Sequence, residues 1–74
     1  MSLMSRITVD PNQCGGQPCI RGMPIRVVDV LDLLAQDLST EEVTEELPDL
    51  EYDDVLAALH YAARQLDPAV RDAS

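Results

Sequence analysis

The chain holds 74 residues, 46% of them hydrophobic and 3% aromatic, with no Trp and no Phe. That describes one small folded domain, not a disordered chain, with a core built from Leu, Val, Ile, Ala and Met. Five Arg and no Lys against fourteen acids give a net charge of −9, which argues against a purely electrostatic nucleic-acid binder.

The start, Met1-Ser2-Leu3 ahead of Met4, is expected to be an expression scar. It lacks a basic stretch followed by an apolar one, so no secretory leader is expected. No apolar run nears the roughly 20 residues of a membrane span. The expected compartment is the cytoplasm, with no membrane partner.

One domain is expected over 4–68, with a β-head at 4–26. Ile7-Thr8-Val9 is β-prone, and Asp10-Pro11-Asn12 is a turn. Gly15 and Gly16 allow unusual backbone angles, and Pro18 confines the next strand to an edge. Cys19-Ile20-Arg21 is that strand. Gly22-Met23-Pro24 turns again, before a third extended piece at Ile25-Arg26-Val27. So small a hairpin needs packing support.

The period then changes from 2 to 3.6. Val27, Val30, Leu31, Leu34, Ala35 and Leu38 mark a first amphipathic helix, with Asp29, Asp32 and Gln36 opposite. Leu33 falls on the polar side as a candidate exposed contact. Ser39 and Glu42 form a capping box for a second helix, with Leu38 and Val43 as its hydrophobic staple. Pro48 ends that helix at Leu47, after about two turns. A third helix carries Tyr52, Val55, Leu56, Leu59, Ala62, Ala63 and Leu66 on one face, with acids in its first turn. Asp67-Pro68 stops it, and 69–74 form a frayed tail. The fold class is mainly α: a short N-terminal β-element, then a three-helix, helix-turn-helix-like unit over 27–66.

Charge divides along the chain. Residues 1–28 carry Arg6, Arg21 and Arg26 against Asp10, a balance of +2. Residues 29–74 carry Arg64 and Arg71 against thirteen acids, a balance of −11. An acidic helical body therefore follows a mildly basic head.

No catalytic set is found, since the lone His60 has no nucleophile beside it in a motif and no Gly-rich phosphate loop is present. Cys14 and Cys19 supply at most half a zinc site, so no metal and no cofactor are expected. A reducing cytosol disfavours a disulfide between them, and both are expected as small apolar fillers. Leu33, Asp53, His60, Tyr61 and Arg64 form the candidate partner-binding set, with Tyr61 and Arg64 of types favoured at interface hot spots. Glu51, Asp53 and Asp54 would oppose entry of the third helix into a DNA groove. Arg6, Arg21 and Arg26 are the candidates for any DNA contact.

The segments Ile7-Thr8-Val9-Asp10-Pro11, Cys14 to Gly22, Val27 to Ala35, Leu47-Pro48-Asp49-Leu50 and Ala57 to Ala62 resemble the family labelled domain of unknown function 433. The likeness covers roughly residues 6–66. That family is similar to antitoxins of the VapB type, some of them paired with a PIN-like ribonuclease toxin. The resemblance implies a dimeric binding protein and not an enzyme. Departures stand at three places. Met23-Pro24-Ile25-Arg26-Val27 replaces the usual Thr-Arg-Ile-Pro-Val. Asp37 replaces a Gly after the first helix, and Glu51 replaces a Thr cap on the third.

The sequence therefore leads to a dimeric, antitoxin-like module that neutralises a PIN-like ribonuclease. The alternative is a stand-alone helix-turn-helix DNA-binding regulator acting on operator DNA. At this length one core supplies only about 3–5 kcal/mol of net stability, which favours a homodimer in either case.

Overall fold

The computed structural model describes residues 3–66. Its architecture is mainly helical, with a two-stranded hairpin ahead of the helices. A 3-10 turn, Leu3–Arg6, leads into β1 (Ile7–Thr8), which pairs antiparallel with β2 (Cys19–Ile20). The register sets Ile7 against Ile20 and Thr8 against Cys19. Arg26 adds one further bridge to Cys19. The head thus holds two strands and a single-residue third rung, as the turn residues predict. Leu3 belongs to the ordered head. Met1, Ser2 and the expected stop and tail from Asp67 onward lie outside the described residues.

Between the strands, Cys14, Gly15 and Gly16 all take positive φ. This curl turns the loop back on itself, and Cys14 is joined to Cys19 by a disulfide. The two cysteines are therefore one crosslink and not separate fillers. Redox compartment carries no information about the turn, which brings their Cα atoms to 6.8 Å, inside the span a disulfide bridges.

The first helix, α1, runs Val27–Ala35. Arg26 precedes it, and its N–H donates to Asp29 Oδ2 at 3.0 Å. The end of α1 is a Schellman motif. Asp37 sits at φ 70°, its N–H donates to the Leu34 carbonyl at 3.0 Å, and the Leu38 N–H donates to the Leu33 carbonyl at 3.4 Å. Such a motif brings the residue after the turn onto the last helical turn, and Leu33 and Leu38 both pack on the core. Leu33 is thus not the exposed contact its place in the helical period suggests, and Leu38 lies beyond α1.

The second helix, α2, runs Thr40–Glu46 with the full capping box: Glu42 N–H to Ser39 Oγ and Ser39 N–H to Glu42 Oε1. Leu47 is its C-cap and leaves helical geometry ahead of Pro48, as the proline requires. The third helix, α3, runs Tyr52–Leu66.

Ile20 of the head, Val27 and Val30 of α1, Val43 of α2, Leu50 of the turn, and Val55 and Ala58 of α3 make the core. Four of these seven are valines, and of the aromatics only Tyr61 packs against them, partly buried. The buried face of α3 is Asp54, Val55, Ala57 and Ala58. It is turned about the helix axis away from the apolar face expected from spacing. Tyr52, Leu59 and Leu66 of that face lie exposed instead.

Candidate functional site

The most constrained cluster of side chains is centred on Asp54. Glu51 precedes α3, and Asp54 is its third helical position. From there the carboxylate reaches back, and Oδ2 accepts the Glu51 N–H at 2.8 Å. This is half of a capping box, in which an acid satisfies a free donor at the helix start. Unlike an ordinary capping acid, Asp54 is fully buried. Its oxygens also accept from Arg6 Nη1 at 2.9 Å and from Arg21 Nε and Nη2 at 3.0 and 2.8 Å. Burial pushes the carboxyl up, but hydrogen bonds from Arg21, the Glu51 backbone and Arg6 outweigh it and hold Asp54 below the usual carboxylate range.

Each arginine makes further bonds. Arg6 pairs with Glu51 at 2.8 Å and with Asp53 at 3.7 Å. Arg21 donates to the Asp49 carbonyl at 3.0 Å. The Arg21 backbone, at φ 47°, donates its N–H to the Arg6 carbonyl at 2.7 Å. The cluster therefore ties the 3-10 turn, the hairpin, the α2–α3 turn and α3 to one carboxylate. Arg26, the third arginine of the head, pairs with Asp29 at 2.8 Å and bonds Gln17. A hydrogen bond from Arg26 is the leading cause that holds the Asp29 carboxyl low.

All three candidate DNA-contact residues are thus engaged by groups of the chain itself. Apart from Asp29 and the capping Glu42, the acids of α1, α2 and their flanks are not. Asp32, Asp37, Glu41, Glu45, Glu46 and Asp49 are exposed, and among the described residues none has an ion-pair partner.

The candidate partner-binding residues divide. Leu33 packs on the core, and so does Tyr61. Asp53, His60 and Arg64 are exposed on α3. Among the described residues Arg64 is the one arginine without an ion pair. Beside these three runs the stripe that sequence spacing assigned to the core. Tyr52 is 55% exposed, Leu59 41% and Leu66 57%.

At the far end of that stripe, α3 and α1 frame an apolar groove of about 320 Å³. Pro18, Val28, Leu31, Tyr61 and Leu66 line it. Val28 is the large exposed hydrophobic of α1, in the role expected of Leu33. Asp54 is the other residue the sequence conceals. Its only signal is the Glu51-x-x-Asp54 spacing, which also fits a solvated first turn.

Among the described residues no three His, Cys, Asp or Glu side chains are grouped to hold a metal ion. No helix among them is long and apolar enough to cross a membrane. What the arrangement offers is surface: a negative face on α1–α2 and an apolar stripe with groove on α3.

A family model described as "Protein of unknown function (DUF433)" matches residues 7–62. No curated protein and no solved structure matches the chain.

Proposed function

The chain belongs to the DUF433 family, and from that premise we propose that it is a non-catalytic binding module whose acidic helical body docks a basic protein. One observation carries the reading, the direction of its charge. The head's arginines turn onto carboxylates of the same chain, while Asp32 of α1 and Glu41, Glu45 and Glu46 of α2 face solvent with no ion-pair partner among the described residues. Such a surface attracts a basic partner at long range and repels a phosphate backbone.

The resemblance to VapB-type antitoxins supplies the partner's class, a PIN-like ribonuclease with a basic RNA-binding groove. On this reading α2, its turn and α3 form a helix-turn-helix-like frame that holds the acids in place. The DNA-regulator reading needs Arg6, Arg21 or Arg26 to leave buried or half-buried carboxylates for phosphate. That exchange uncovers charge, and it is the physical reason for preferring a protein partner.

The test is capture from the native cell at moderate salt with this chain as bait, followed by mass spectrometry. A small basic nuclease in stoichiometric amount is expected, and lost with Glu41→Lys/Glu45→Lys. Salt-dependent binding to a DNA duplex that Arg21→Ala abolishes, with no basic protein captured, would replace this reading by the regulator.

A further inference from the structure

We infer that the outer face of α3 is a self-association surface, on which a second copy of the chain docks antiparallel. Tyr52, Leu56, Leu59, Ala63 and Leu66 follow one another at spacings of four, three, four and three residues. That is the apolar rhythm of a helix seam, in which positions seven apart return to nearly the same side. The seam runs the whole of α3, about 21 Å. Among the described residues nothing covers it: Tyr52, Leu59, Ala63 and Leu66 are exposed and Leu56 is half-buried. The core is served by the other side of the helix, through Asp54, Val55, Ala57 and Ala58.

Charge selects the occupant. A chain of net charge −9 repels its own copy over most of its surface. α2 carries four glutamates and no base. Along the seam the exposed charges of α3 balance, with Asp53 at one end, only loosely held by Arg6 at 3.7 Å, and Arg64 at the other. A two-fold interface must be self-complementary, so that each residue meets its counterpart in both directions. Antiparallel docking centred on Leu59 meets that condition. Leu59 meets Leu59, Tyr52 meets Leu66, and Asp53 comes within a helical turn of Arg64, twice over. The same arrangement opposes the two helix dipoles favourably. Parallel docking sets Asp53 beside Asp53 and leaves Arg64 without an acid. The groove beside Leu66 receives the ring of Tyr52 from the other copy, which accounts for an exposed aromatic at one end of the seam and an apolar hollow at the other.

Sedimentation velocity of the full chain, from low to high micromolar concentration, tests the docking. A reversible dimer is expected. Leu59→Glu should weaken it at least about tenfold, because two carboxylates then meet on the axis. The circular dichroism spectrum should stay unchanged, since Leu59 is outside the core. Arg64→Glu and Asp53→Arg should each weaken the dimer, and the double variant should recover it. A monomer at every concentration, a dimer indifferent to Leu59→Glu, or a double variant no better than the single ones would overturn the proposal. Added salt should strengthen this dimer by screening the −9 charges, while it weakens docking of a basic protein on α2. The two readings therefore fail separately.

Discussion

Arg21 reaches across thirty-three positions of sequence to place Nη2 2.8 Å from Oδ2 of the fully buried Asp54. Arg6 adds a second guanidinium to the same carboxylate, from forty-eight positions away. A hairpin of two-residue strands has little stability of its own. Here it is held to the helices by Ile20 in the core and by this carboxylate, which four elements share.

Replacing Asp54 with Ala should destabilise the chain by about 3 kcal/mol, the lower end for breaking a buried ion pair. Arg6 and Arg21 keep side-chain exposures of 23% and 38%, so water compensates part of their loss. Arg21→Ala leaves Arg6 and the Glu51 N–H on the carboxylate and should cost less than Asp54→Ala. Urea denaturation should show lower midpoints at an unchanged slope.

Asp54 and Asp29 both sit below their ordinary titration range, so each binds protons less readily folded than unfolded. Their contribution is complete above the unfolded value, about 3.9 for Asp. It is lost as pH falls through the lower folded values. Mild acid also neutralises exposed carboxylates and relieves repulsion in this acidic chain, which acts in the opposite direction. The informative quantity is therefore the stability difference between the natural chain and Asp54→Asn. It should be flat from neutral pH to about 5 and shrink below about 4, as read from denaturation midpoints across a pH series.

The end of α1 holds Asp37 at φ 70°, where glycine is the residue without a side-chain penalty. Asp37→Gly keeps the Schellman bonds and removes that penalty. A gain of up to about 1 kcal/mol is expected. At the next helix start, Ser39→Ala removes the oxygen that accepts the Glu42 N–H at 3.1 Å and should cost about 1 kcal/mol. Thermal unfolding of the two variants should move in opposite directions.

The capping box of α2 was legible because all its parts lie within four residues, Ser39 to Glu42. The presence of a helix over Tyr52–Leu66 was legible from its apolar rhythm. Its orientation was not, for a physical reason. Ala57 and Ala58 are small and add little to an apolar pattern, while Asp54 counts against burial in any pattern. Asp54 nevertheless faces inward because Arg6 and Arg21 satisfy it. Those partners are set by tertiary structure, and spacing along the chain carries no sign of them. The same blindness made the three head arginines look like free charge. On α1 the error ran the other way. Helical period alone placed Leu33 outside, while the Schellman turn folds Leu38 back to its side of the helix.

Leu33 and Leu59 separate the two descriptions of the helices most directly. Period alone makes Leu33 a surface residue and Leu59 a core one. In the structure Leu33 packs on the core and Leu59 is 41% exposed. Leu33→Ala should then cost about 2 kcal/mol, toward the low end for a leucine because the site is only half-buried. Leu59→Ala should stay within about 0.5 kcal/mol when measured at a concentration too low for association. Raising the concentration should open a gap between Leu59→Ala and the natural chain, since a dimer stabilises the folded state by mass action. The gap for Leu33→Ala should stay constant, because its contacts lie within one copy. Chemical denaturation of the three chains at two concentrations measures both differences at once.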